Sequence, residues 1–166
     1  MENCNPVSTP IECGSKLSKK EEGKTVGPTM FKSLIRSLRY LTSTRPDILY
    51  AVRIISRFME NPTETHLKAA KSILRYIKGT QNHGLLYFHS NEFQLSGSSD
   101  SDWAGDQDVD RKSTSRFLFY MGDTTFSWSS QKQPVVALST CEAEYVAASS
   151  CICHAIWLRK LLKEIG

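Results

Sequence analysis

The chain has 166 residues, 40% hydrophobic and 23% charged, which suits one ordinary domain or two small ones and excludes full disorder and collagen-like repeats. No apolar run approaches the roughly 20 residues that a membrane helix needs, and Met1 to Thr9 shows no signal-peptide pattern, so the expectation is a soluble intracellular chain without a membrane partner, in cytoplasm or nucleus. Residues 1–80 hold fourteen Lys/Arg against seven Asp/Glu and residues 81–166 hold seven against ten, so one part suits an anion and the other cations, although the net +4 is also ordinary for a soluble surface.

Residues 1–27, rich in Pro, Ser, Lys and Gly without periodicity, read as a flexible leader. Residues 28–79 read as three amphipathic helices. The first carries Phe31, Leu34, Ile35, Leu38 and Leu41 at helical spacing. For the second, Thr44 with Asp47 suggests a cap, followed by Ile48, Val52, Ile55 and Met59 on one face. For the third, Asn61 is the expected cap, Pro62 suits the first turn and Gly79 the end.

That third helix bears two stripes. Leu67, Ala70, Leu74 and Ile77 line one side; Lys68, Lys71, Arg75 and Lys78 line another, so that their cationic groups stack along the axis. Such a ridge can track a phosphate backbone and release its counterions. It equally suits a plain solvated helix face.

Residues 80–94 form a connector with a strand-like run from Leu85 to Phe88, and residues 95–166 a further domain. Within it Gln94–Asp102 is a candidate strand. Phe117–Met121 and Thr125–Ser130 are two more, joined by a Gly122-Asp123 hairpin turn. Ser139 and Glu142 form an S-x-x-E capping box that opens a helix running to about Ile165. Val146, Cys153, Trp157 and Leu161 are its expected core-facing residues.

The five cysteines (Cys4, Cys13, Cys141, Cys151 and Cys153) make neither paired C-x-x-C knuckles nor a secreted disulfide framework, and read as reduced thiols. Carboxylates are more promising. Asp100 and Asp102, two apart on a strand, point to the same side, and their repulsion is relieved by a bound cation or a raised pKa. Glu142 and Glu144 lie roughly 200° apart around a helix, and Glu142 has its capping role. Glu144 is left to face a strand beside the small residues Ala147, Ala148 and Cys151. Asp100, with Asp102 beside it, opposite Glu144 is therefore a candidate Mg²⁺ site for phosphodiester hydrolysis; solvated strand-end carboxylates are the competing reading. A calcium loop starting at Asp100, with Asp102, Gly105 and Asp108 in place, fails because Ala104 and Arg111 occupy its fifth and twelfth positions.

Several ordered motifs now carry a resemblance. Arg45-Pro46-Asp47-Ile48, Ser56-Arg57-Phe58-Met59, His66-Leu67-Lys68-Ala69-Ala70-Lys71 and Leu74-Arg75-Tyr76-Ile77-Lys78-Gly79-Thr80 resemble the end of the reverse transcriptase of copia-type retrotransposons. Ser99-Asp100-Ser101-Asp102-Trp103-Ala104-Gly105 and Asp110-Arg111-Lys112-Ser113-Thr114-Ser115 resemble the ribonuclease H region of the same Pol polyproteins. Trp128-Ser129-Ser130, Lys132-Gln133-Pro134 and Glu142-Ala143-Glu144-Tyr145 continue it, and the resemblance runs from about Asn3 to the last residue.

The resemblance implies an α+β chain: an N-terminal helical segment like a polymerase thumb and connection, which grips template–primer duplex, then a truncated ribonuclease H-like fold of three antiparallel strands and one long helix. It implies Mg or Mn chemistry on RNA–DNA hybrids, with Asp100 in the place of the family's first-strand aspartate and Glu144 in that of its first-helix glutamate. Asp102 has no assured catalytic place in that pattern. Arg36 and Arg116 stand where such sequences commonly have glycine. The family pattern also has a further aspartate on a strand after this helix and a fourth carboxylate later, which are expected to lie beyond Gly166, as the polymerase aspartates would lie upstream of Met1. Two of four carboxylates suggest a chain inactive, or nearly so, without the rest of a Pol polyprotein. A non-catalytic nucleic-acid-binding or assembly module using Lys68, Lys71, Arg75 and Lys78 is the alternative, and a relic without selected activity a third.

Overall fold

Large aliphatic and aromatic side chains at helical spacing fix the first part of the chain. In the computed structural model, which describes residues 4–12, 17–18, 23–87, 94–104 and 111–165, they build helices α1 (Pro28–Leu41), α2 (Leu49–Ser56) and α3 (Glu64–Gly79). A short 3-10 turn, Pro46–Ile48, precedes α2. The remaining elements are strands β1 (Leu95–Asp102), β2 (Thr114–Met121) and β3 (Thr124–Lys132), then helix α4 (Thr140–Ile165). This is an α+β chain, helical first and closing on one long helix after a three-stranded antiparallel sheet. It divides into two units, Met1–Gly84 and Leu85–Gly166.

In the first unit Phe31, Ile35 and Leu38 of α1 meet Ile48, Ala51, Val52 and Ile55 around α2, with Ala70 and Ile73 of α3 completing the buried core. Each larger side chain of this set contributes about 1.5–3 kcal/mol by leaving water. Leu34, Met59, Leu67, Leu74 and Ile77 pack around it, and so do Ile11 and Leu17 from the leader.

Two expected caps are corrected. Thr44 does not cap: its hydroxyl donates to the carbonyl of Leu41, while Asp47 pairs with Arg45. For α3 the cap is Thr63 rather than Asn61, and a reciprocal capping box with His66 starts the helix at Glu64. The Thr63 N–H donates to His66 Nδ1 at 3.0 Å, so an imidazole does what Glu or Gln usually does, with its ring stacked on Phe58. Pro62, placed before the helix, accepts the Val26 N–H, and Glu64 N–H donates to Lys24, so the end of the leader is tied to α3. The third helix does end at Gly79, as expected.

The buried Arg45 clasps the turn before α2 to the end of α3. It donates from Nε and Nη2 to the two Asp47 oxygens at 3.0 and 2.7 Å, and from Nη1 and Nη2 to the Thr80 carbonyl and hydroxyl. Tyr76 OH adds a third bond to Asp47. Burial opposes the Asp47 charge, but the bonds from Arg45 and Tyr76 outweigh it and hold its carboxyl below the usual range.

In the second unit the strand order is β1-β2-β3, with Gly122-Asp123 turning β2 into β3 as the sequence suggests. Among the described residues of the expected run from Leu85, residues 85–87 form no strand; Phe88 lies outside them. α4 lies on β1 and β2, where Phe119, Cys151 and Leu158 are buried with Leu95, Phe117, Phe126 and Ala155 around them. A Cβ on Gly97 would stand 2.6 Å from the Phe119 ring, so only glycine lets that ring lie across β1.

The face that α4 turns inward also needs correction. Cys153, Trp157 and Leu161 are exposed, and Ala143, Ala147, Cys151 and Leu158 are buried instead. The inward face is set by which side of the helix meets the sheet rather than by residue size: Cys151 and Leu158 pack with the buried Phe119 ring, and the Ala143 carbonyl accepts from buried Gln133.

Candidate functional site

β1 ends in carboxylates and α4 begins with them; polar bonds cap α4 and tie its start to β2 and to the end of β1. The S-x-x-E box forms in part: Glu142 N–H donates to Ser139 Oγ, and the Glu142 carboxylate reaches back to Leu138 N–H at 2.7 Å. Buried Gln133 donates from Nε2 to Ser115 Oγ on β2 and to the Ala143 carbonyl in α4, at 2.9 and 2.8 Å. Its own N–H donates to Ser113, whose hydroxyl is buried and accepts Ala104 N–H. Trp103, just after β1, donates its indole N–H to Ala137, just before α4. Lys132-Gln133-Pro134 was legible as a motif, but the positioning role of Gln133 was not, because a buried amide has no periodic signature.

Within this frame Glu144 meets β1, but at Ser101. The Ser101 hydroxyl donates to Glu144 Oε1 at 2.9 Å. Alternate strand residues point to opposite faces, so Asp100 and Asp102 leave β1 on the side away from that contact. There Arg116, paired with Asp100 across β1 and β2, reaches both: Nη1 lies 3.5 Å from Asp100 and Nη2 3.7 Å from Asp102. The repulsion expected between the two aspartates is thus relieved by a guanidinium. Asp100 remains 64% exposed, so its pair is worth no more than about 1 kcal/mol.

These residues do not fit a divalent ion as they stand. The two aspartates share Arg116 on one face while Glu144 is engaged on the other, and among the described residues no three His, Cys, Asp or Glu side chains come together as metal ligands. The calcium-loop positions Gly105 and Asp108 lie outside the described residues.

The cationic stripe lies in the other unit, along α3. Lys68 and Lys71 are exposed. Arg75 Nε donates to the Asn5 carbonyl at 2.6 Å and Lys78 Nζ to the Cys4 carbonyl at 3.1 Å. A Cβ on Gly79 would stand 2.9 Å from Pro6 Cβ, so glycine there lets the leader run close over the helix end. Two of the four stripe cations thus serve the chain's own carbonyls. Backbone acceptors leave no sequence signal, and nothing in the spacing of the stripe could have revealed them.

The whole chain aligns with curated relatives. It is 45% identical to the "Retrovirus-related Pol polyprotein from transposon RE1" of Arabidopsis thaliana and 40% identical to that from transposon RE2 of the same plant, each over 166 residues. With the "Retrovirus-related Pol polyprotein from transposon TNT 1-94" of Nicotiana tabacum it shares 44% over 173 aligned residues. In each case all of this chain is covered, and it spans only 11%, 11% and 13% of the relative's length. No family model and no solved structure matches the chain.

Proposed function

The chain belongs to the Pol polyproteins of copia-type retrotransposons, and from that premise we propose that its sheet and long helix are a ribonuclease H-type segment that does not cleave nucleic acid by itself. The observation that carries this reading is the junction of β1 with the first turns of α4: the Asp100–Asp102 strand end and Glu144 belong to elements joined by the 2.9 Å Ser101–Glu144 bond. Family activity is the hydrolysis of RNA in RNA–DNA hybrids, where Mg or Mn supplies the activated water and the leaving-group stabilisation.

This chain's residues hold the frame for that chemistry without completing it. Asp100 and Glu144 match two of the four family carboxylates, and they leave their elements toward opposite sides of β1. Arg116, at a position where such sequences commonly have glycine, sets its guanidinium against both aspartates in place of a metal. The partners that follow are an RNA–DNA hybrid or duplex and the rest of a Pol polyprotein. A longer Pol segment containing these residues tests the assignment. Asp100→Asn and Glu144→Gln should each abolish its metal-dependent hybrid cleavage, and full cleavage by either variant would overturn it.

The stripe supports a second reading for the helical unit, as a duplex-gripping surface like a polymerase thumb and connection. Exposed Lys68 and Lys71, continued by Arg75 and Lys78, suit sequence-independent phosphate contact. Duplex binding should then weaken steeply with salt and largely disappear when all four become alanine. Unchanged binding by that quadruple variant would remove the reading.

A further inference from the structure

β3 is the outer strand of the sheet, and beside it, between its side chains and α4, runs a groove of about 550 Å³. Phe117 forms its floor, His154 and Trp157 one wall, and Ser127, Ser129 and Gln131 the other. The aromatic side is continuous: His154 lies 4.8 Å from Phe117 and 5.3 Å from Trp157 between ring centroids. Ser127 Oγ comes within 3.4 Å of His154 Nε2. Trp157 is 55% exposed, although it is the largest side chain of the wall and tryptophan is costly to leave in water.

We propose that this groove binds a base of single-stranded nucleic acid. Two adjoining ring faces offer stacking to a flat heteroaromatic, and hydroxyls and a carboxamide across the groove offer donors and acceptors for its edge. This unit carries more carboxylates than cations, so attraction for a strand would be local to the groove and to one lysine beyond its rim. Among the described residues no carboxylate lines the groove. Lys160 follows Trp157 by three residues and Cys153 by seven, on the same side of α4, where it suits the phosphate of a stacked nucleotide; Glu164 comes a further turn along. This site rests on the functional reading only in having a nucleic-acid partner, here an unpaired strand rather than the hybrid, and it does not depend on hydrolysis or on the α3 stripe.

The test is a tryptophan-fluorescence titration of the whole chain with a single-stranded oligothymidylate and an oligouridylate. Saturable quenching is expected with at least one of them. Trp157→Ala should lower the affinity about fivefold or more, as loss of one stacking face does. Ser129→Trp, which fills the groove from the opposite wall, should do the same in protein whose circular dichroism is unchanged. The Lys68/Lys71/Arg75/Lys78→Ala variant should keep the part of the quenching that Trp157→Ala loses, since Trp103 and Trp128 also fluoresce, which separates this site from the duplex surface. Equal affinity in wild type, Trp157→Ala and Ser129→Trp would overturn the proposal. So would a Trp157 signal that follows chain concentration without oligonucleotide, which would assign the groove to a second copy of the chain.

Discussion

The two units solve the same packing problem in different ways. Among the described residues of the helical unit, nine buried apolar residues from three helices and the turn before α2 meet one another, with Phe31, Ile35, Ile48, Ile55 and Ile73 the large fully buried ones. Among the described residues of the sheet unit the buried apolar cluster reduces to Phe119, Cys151 and Leu158, and buried polar groups join the elements. Apolar periodicity therefore dominates the first, while a smaller apolar cluster and buried hydrogen bonds hold the second.

The largest effect that could break this contrast lies in the helical core. Phe31→Ala should destabilise that unit by about 3–5 kcal/mol in urea unfolding, because a fully buried ring leaves a cavity. A loss below about 1 kcal/mol would mean that the unit is not organised around this cluster. In the sheet unit the corresponding centre is an amide. Gln133→Ala removes two bonds from a buried side chain and should cost about 2–3 kcal/mol, visible as faster amide exchange in the first turn of α4.

Trp157→Ala sharpens the contrast from the other side. A tryptophan deletion is ordinarily severe, yet here it should cost less than about 1 kcal/mol in the same unfolding measurement, because this side chain is 55% exposed and lies outside the buried cluster of Phe119, Cys151 and Leu158. The smallest effect is electrostatic. Asp47 has its pKa lowered in the folded chain, so the stability it adds is present above its unfolded value of 3.8 and is lost as pH falls through the folded value. Acid titration of Asp47→Asn should therefore show a shallower loss of stability below about pH 4 than wild type. An identical acid limb would remove the Arg45–Asp47–Tyr76 clasp from the account.

The same contrast explains what was legible in the sequence. The face of α1 was read from spacing, as were the end of α3, the three strands and the span of α4, while of the expected second-helix face only Val52 and Ile55 lie in α2, with Ile48 in the turn before it and Met59 beyond its end. The inward face of α4 was misread because Trp157 and Leu161 were taken for core, whereas Cys151 and Leu158 pack with Phe119, and Ala143 and Ala147 are the buried residues nearer the start of the helix. The cap of α3 was misplaced because a histidine fills the glutamate position of the box. At the candidate site, the contact between β1 and α4 was expected, and Glu144 does lie on it. That Ser101 rather than Asp100 would meet it depends on which face of β1 turns to the helix, a choice that a strand of small polar residues does not encode. The Arg116 bridge follows from strand register, which motif spacing does not give.

The central claim is that this chain carries the frame of a ribonuclease H-type site, with Asp100 and Asp102 held by Arg116 apart from Glu144. It is tested most directly by incubating the folded 166-residue chain with an RNA–DNA hybrid and Mg²⁺ or Mn²⁺, beside Asp100→Asn and Glu144→Gln. The account predicts no metal-dependent cleavage by any of the three. Cleavage by the wild type that both substitutions abolish would show that the two carboxylates already work together on one metal-assisted reaction, and would contradict it.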